Sequence, residues 1–470
     1  MIGAFLLFCT YFVSFTDKAG SNAPALGERA FEQRFKWDIP IDSLDFAVSP
    51  VYLDSLRAMG AKVLHTSRWF NGATVQFDKR DRERIENCSF VSSVELTRDS
   101  IALVADITTK SNAMNDSAEY PESDPQQGVF NLKKLHDAGF QGQGILLAVI
   151  DCGFQNCDKL ACYEPRTHFK GQYDFTDEPY DIYDDATGFH GEMCLSTIAA
   201  QTDNYHGAAT AADYCLMRTE EVDAESPKEL DNMVAALELA DSLGVNIATI
   251  SLGYIHFNSP AFDIPYGKMD GKSSRASIAC TIAARKGMLV CLAAGNEGKN
   301  PGHFIGWPTD ADSIISVGAV SEDREIAPFS SYGPTPDGRI KPEVCAVGWK
   351  CRLIDPADGQ VISRNGTSFA CPLLAGMAAC LWSALPNENA MQIRERIIRS
   401  ADRFSLPDDR YGYGIPDAWA AYMGTTTGVA SAQINAQGTA RVVYTGHGNL
   451  FIEKEGVRYS LSGIRLDDGE

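Results

Sequence analysis

Asn365-Gly366-Thr367-Ser368-Phe369-Ala370-Cys371-Pro372 runs directly into small and apolar residues, among them Ala375, Gly376, Ala378, Ala379 and Leu381. A helix without a polar face belongs inside a domain, so this stretch predicts a helix crossing the centre of the fold. Ser368 then falls in its first turn, at the positive end of the helix dipole, among N–H groups with no partner inside the helix. Chemistry that builds negative charge on an oxygen needs that environment. Pro372 is compatible with a helix start, because proline is tolerated in the first turn.

A serine hydroxyl needs a base, so the upstream sequence matters. Residues 145–150 (Ile-Leu-Leu-Ala-Val-Ile) form a continuous apolar run, the mark of a strand buried on both faces, and end in Asp151-Cys152-Gly153. His190-Gly191-Glu192 opens a helix-like stretch over 193–200. A second buried strand, 288–294, ends at Gly295-Asn296. Helices over 232–243 and 276–286 alternate with strands over 245–252, 288–294 and 314–320. That alternation predicts an α/β fold, doubly wound around a mostly parallel sheet with helices on both faces. Functional groups in such sheets gather beyond the carboxyl ends of strands, where Asp151 and Asn296 fall.

Seven blocks occur in order: Asp151-Cys-Gly, His190-Gly, Gly207-Ala-Ala-Thr-Ala-Ala, Ser251-Leu-Gly, Ala294-Gly-Asn-Glu-Gly, Phe329-Ser-Ser-Tyr-Gly-Pro and Gly366-Thr-Ser-Phe-Ala-Cys-Pro. On these blocks the chain resembles the subtilisin-like (subtilase, S8) serine peptidases over residues 128–422. The resemblance implies that Asp151, His190 and Ser368 form a catalytic triad, in the family's chain order. It implies an oxyanion hole from the Asn296 side chain and the Ser368 backbone N–H. It also implies substrate-clamping backbone at Ser251, Leu252, Gly253, Ala293, Ala294 and Gly295, where a peptide adds as an extended strand. Cys152 stands where the family usually has Thr or Ser, and Glu192 where Thr is usual. Neither departure removes a catalytic group.

Each residue also has a plainer reading. An apolar strand ending in Asp is common in α/β proteins, and Gly-Asn is good turn chemistry. His206-Gly207 repeats the dipeptide of His190-Gly191 but lacks a helix pattern after it. Cys371 lies three residues past Ser368, on another side of the helix. The expected activity is that of a secreted or cell-surface serine endopeptidase made as a zymogen. The alternatives are a catalytically inactive subtilisin-fold binding protein and an esterase on the same triad. No cofactor is required and no metal site is expected. Asp181, Asp184 and Asp185 could hold calcium, against the plainer reading of a solvated acidic loop.

Charge bounds the partners. Of 470 residues, 62 are acidic and 41 basic, a net charge of −21 that excludes the basic surface nucleic-acid binding requires. Substrates are therefore expected to be proteins or peptides. No transmembrane segment is expected; residues 2–15 are apolar at signal-peptide length, and residues 1–18 read as an export signal. Residues 19–107 carry two helices and several strands and resemble the propeptides that precede subtilases, which implies an intramolecular inhibitor. Residues 108–127 read as a linker, with processing between about 100 and 127; the catalytic domain spans 128–424. Residues 425–470 combine a linker with short strands at 441–445, 449–453 and 457–466, in a tail that resembles bacterial secretion and sorting tails. Among thirteen cysteines, Cys345 with Cys351 and Cys157 with Cys162 could pair, and no Cys-x-x-Cys suggests zinc.

Overall fold

The computed structural model describes residues 7–99, 124–165, 168–222 and 224–425, and the backbone of four short strands between 440 and 466. Seven strands form one parallel sheet in the order Val344–Val347, Ile315–Val320, Leu289–Ala293, Ile247–Ile250, Leu146–Asp151, Asp213–Arg218 and Phe169–Asp174. Register aligns their carboxyl ends. Asp151 lies opposite Arg218, Ile150 opposite Ile250, and Ile250 opposite Leu292. Whatever follows Asp151, Ile250 and Ala293 therefore emerges along one rim.

The apolar run after Ser368 forms the helix Thr367–Ala384, nearly all of it buried. Among the described residues it is the one helix long and apolar enough to cross a membrane, yet it lies inside this domain. With His190–Ala199 it covers one sheet face; Lys228–Leu243 and Arg275–Arg285 cover the other. Pro372 is the sixth helical residue rather than a first-turn one. The cost of its missing N–H is met by tertiary partners, described below.

The N-terminal domain is a four-stranded antiparallel sheet, ordered Lys62–Ser67, Gly72–Asp78, Phe8–Phe15 and Val91–Arg98, with helices Pro50–Ala58 and Arg82–Glu86. The expected export signal needs correction here. Residues 8–15 are a strand paired on both edges, and Cys9, Tyr11, Val13 and Phe15 enter the same core as Leu56, Val75 and Ile85. Ladder pairing to a strand on either side, which local composition does not reveal, is what separates strand from signal.

This domain docks on Lys228–Leu243 and Arg275–Arg285. Phe12, on the face away from its own core, lies 4.2 Å from the Arg275 guanidinium. The helix Glu28–Lys36 reaches the carboxyl end of Lys228–Leu243, where Arg29 and Gln33 donate to the Gly244 carbonyl at 2.9 and 2.8 Å. A cation at that end complements the helix dipole. Arg34 pairs with Asp241 at 2.6 Å and Asp45 at 3.2 Å, Arg68 with Asp241 at 2.7 Å, and Lys286 with Asp45 at 2.7 Å. Every member is buried, so each charge depends on its partner.

The processing window falls largely on 100–123, outside the described residues. The end of the expected linker belongs to the catalytic domain: Gln126 is buried, accepting from the Arg352 N–H at 2.8 Å and donating to the Arg352 carbonyl at 3.1 Å. In the tail, Ala440–Tyr444, Leu450–Lys454, Val457–Tyr459 and Arg465–Leu466 form an antiparallel meander, so the single strand expected over 457–466 is two. No disulfide forms among the described residues, which include all thirteen cysteines. Cys345 and Cys351 face different partners, the Tyr411 carbonyl and the Gln126 side-chain oxygen, each at 3.5 Å. Cys157 and Cys162 are two separate buried thiols.

Removing residues 7–15 should unfold the N-terminal domain and leave no processed enzyme, as followed by gel analysis of the expressed chain. Normal yields of processed, active enzyme from the truncated chain would contradict the strand assignment.

Candidate active site

Asp151 closes the strand Leu146–Asp151 and is fully buried. Its Oδ1 accepts from the Cys152 N–H at 2.8 Å and lies 2.7 Å from His190 Nδ1. Close backbone approach makes this contact possible. A Cβ on Gly191 would stand 2.7 Å from the Gly153 carbonyl oxygen and 3.0 Å from Asp151 Cβ, and one on Gly153 would collide with Thr187. The two glycines thus let the His190–Ala199 helix start against the turn that follows Asp151. Burial disfavours a charged His190, but the Asp151 carboxylate outweighs it and holds the imidazole well above its ordinary range.

Ser368 is the second residue of its helix, and the backbone of that helix ties it to both neighbouring elements. Pro372 cannot donate the bond that residue i+4 normally gives, so the Ser368 carbonyl is left open. The Ser251 hydroxyl donates to it at 2.8 Å and the Cys194 thiol at 3.3 Å. Ser251 follows the strand Ile247–Ile250, and Cys194 sits one turn after His190 on its helix. The His190 ring also lies 5.9 Å from the Phe369 ring. One proline-vacated carbonyl therefore fixes Ser368 against the sheet rim and the histidine helix together.

Asn296 is exposed at the end of the Leu289–Ala293 strand. Its Oδ1 accepts from the Thr367 N–H at 3.0 Å and the Thr367 hydroxyl at 3.1 Å. A backbone N–H can only donate, so that atom is the oxygen, and the side-chain NH2 is directed elsewhere. The two expected peptide straps differ. In 293–295 the backbone is engaged internally: Thr309 donates to the Ala293 carbonyl at 2.8 Å, the Ala294 N–H bonds Val317 at 3.0 Å, and the Gly295 N–H bonds the Thr367 hydroxyl at 3.1 Å. Ser251 is engaged through its hydroxyl, while Gly253 lies exposed beside the Tyr254–Trp307 bridge.

The remaining candidates separate cleanly. His206 lies away from Asp151, its carbonyl accepting from Gln127 at 2.6 Å. Burial pushes the Cys371 thiol up to about 12, and Cys371 contacts Thr249 rather than the rim. Asp181 and Asp184 accept N–H groups of their own loop at 3.0 Å, and Asp185 accepts from Gln155 at 2.9 Å. Residue-by-residue reading missed two contributors. Cys194 is a buried thiol pushed up to about 12 by burial, and Thr367 orients Asn296. Glu192 turns away from the histidine; burial raises its carboxyl well above the usual range, and Tyr163 donates to it at 2.7 Å.

Residues 142–414 match the model of the subtilase family, and residues 10–116 match that of the peptidase S8 propeptide domain of Bacteroidota. Subtilisin E of Bacillus subtilis (strain 168) is 25% identical over 421 residues, covering 88% of this chain and 97% of its own. The thermostable alkaline protease of Halalkalibacterium halodurans is 28% identical over 291 residues, 61% of this chain and 70% of that protein. Among solved structures, MycP1 from the ESX-1 type VII secretion system superposes with a TM-score of 0.52 at 21% identity, over 66% of this chain and 87% of that one. That likeness speaks to the fold.

Thiol titration checks the cysteine chemistry. Denatured under non-reducing conditions, the chain should react at all thirteen cysteines; folded, it should react readily only at the half-buried Cys88 and Cys152. Eleven or fewer reactive thiols after denaturation would mean a disulfide that this structure lacks.

Proposed function

Because this chain belongs to the subtilase family and is a serine-type endopeptidase, we propose that it cleaves peptide bonds through an acyl-enzyme on Ser368, with His190 as base and Asp151 as its orienting carboxylate. The 2.7 Å Asp151–His190 hydrogen bond carries this reading. It directs the proton-accepting lone pair to Nε2, away from the carboxylate. His190 takes the Ser368 Oγ proton as that oxygen attacks the substrate carbonyl carbon, then returns it to the leaving amine. Water repeats the cycle to release the acyl group.

Negative charge on the carbonyl oxygen is met by the Ser368 N–H and the Asn296 NH2, the latter held in place because Thr367 occupies Asn296 Oδ1. The peptide runs along Ser251, Leu252 and Gly253, with 293–295 forming the opposite wall of its cleft. Nucleophile, base and oxyanion donors are all groups of the chain, so the reaction as drawn calls on no cofactor. The N-terminal domain is the inhibitory propeptide of a zymogen, and the mature enzyme acts after export, at the cell surface or beyond it. The strong net negative charge suits an exposed, soluble enzyme.

A fluorophosphonate should label the processed enzyme at Ser368, and Ser368→Ala should abolish peptidase activity while Cys371→Ala keeps most of it; labelling elsewhere would overturn the assignment. Asn296→Ala should lower turnover about 100- to 1,000-fold with little change in KM. The pH profile follows from the raised His190 value. The base must be neutral, so kcat/KM should rise with pH along a limb centred above the ordinary histidine value of 6.5. A limb at or below that value would contradict the Asp151–His190 pairing.

A further inference from the structure

We propose that Asp151, Cys152 and His190 form a binding site for a thiophilic divalent cation of the zinc class, and that occupancy switches the peptidase off. One ligand atom from each, a carboxylate oxygen, a thiol sulfur and an imidazole nitrogen, lies within 4.8 Å of the other two. Zinc sites take this donor set, with three protein ligands and one position open to water. At bond lengths of about 2.0–2.3 Å, tetrahedral ligand atoms stand about 3.3–3.8 Å apart, a spacing these side chains reach by small rotations. Two further observations favour an ion. Asp151 is fully buried, yet its Oδ2 has no hydrogen-bond partner among the described residues, leaving a lone pair uncompensated. Cys152 is half-buried, so an ion can reach its thiol from solvent.

Binding displaces the thiol proton and any imidazole proton in its way, and both pass to solvent. With Asp151 and His190 held by the ion, no base remains for Ser368. That inhibitory part rests on reading His190 as the base; the site itself does not. Cys152 is thus where this chain departs from the family's usual Thr or Ser with a chemical consequence.

Cobalt(II) serves as a spectroscopic probe on the full chain carrying Ser368→Ala, which cannot digest itself. One equivalent should produce a thiolate-to-cobalt charge-transfer band that zinc displaces, and adding Cys152→Ser should remove it. No band, or a band that survives Cys152→Ser, would overturn the site. In the processed active enzyme, zinc should inhibit reversibly with relief by chelator. Relative to each enzyme's own metal-free rate, Cys152→Ser should raise the half-inhibitory zinc concentration at least about tenfold. Equal sensitivity would overturn the switch. A Cys152-dependent band without inhibition would refute His190 as base and leave the site standing.

Discussion

The hydrogen bond between His190 and the buried Asp151 carboxylate is the constraint around which the catalytic half of the molecule is arranged. A carboxylate withdrawn from water demands a partner, and a ring presented by the first residue of a neighbouring helix joins the Cys152 N–H in supplying one. That geometry needs two backbones in near contact, which Gly153 and Gly191 permit. It also needs Asp151 at the carboxyl end of its strand, which the parallel register provides. The sheet, the helix start and the glycines read together as support for one imidazole.

The serine side is secured by a different device. Pro372 withholds a helical hydrogen bond, and the exposed Ser368 carbonyl draws in Ser251 from the sheet and Cys194 from the histidine helix. Loss of one helical bond becomes a junction among three elements. Thr367, one residue earlier, performs the corresponding task for Asn296. The placement of Ser368 and of Asn296 therefore depends on Pro372 and Thr367, close to Ser368 in sequence.

Much of this was legible in the sequence, for definite reasons. Apolar runs at 145–150 and 288–294 and the small-residue stretch after Ser368 are buried on every side, so their patterns admit few alternatives. Asp213–Arg218 was harder to read, because it lies near the sheet edge and carries a charged residue at each end. The strand Phe8–Phe15 was misread because Thr10 and Phe12 are also covered, the latter by the catalytic domain, which erases the alternation that marks a strand. Cys194 and Thr367 act through contacts between distant segments or through helix-start geometry, and neither leaves a mark in local composition. The grip of residues 16–49 on the far end of Lys228–Leu243 was silent for the same reason: ion pairs across two hundred residues have no sequence period.

That grip gives the N-terminal domain two footholds. Arg98 meets Glu221 at 2.6 Å, Glu221 pairs with Lys228 at the start of that helix, and Arg29, Gln33 and Arg34 hold its far end. A domain fixed at both ends of a 16-residue helix is oriented as well as bound. All of it presupposes that the Asp151 carboxylate sets the charge state of His190. Nitrogen-15 NMR titration of His190 in the Ser368→Ala chain, with and without Asp151→Asn, measures that directly. The account predicts an imidazole titrating above 6.5 that drops once the carboxylate is neutralised; an ordinary value unmoved by Asp151→Asn would contradict it.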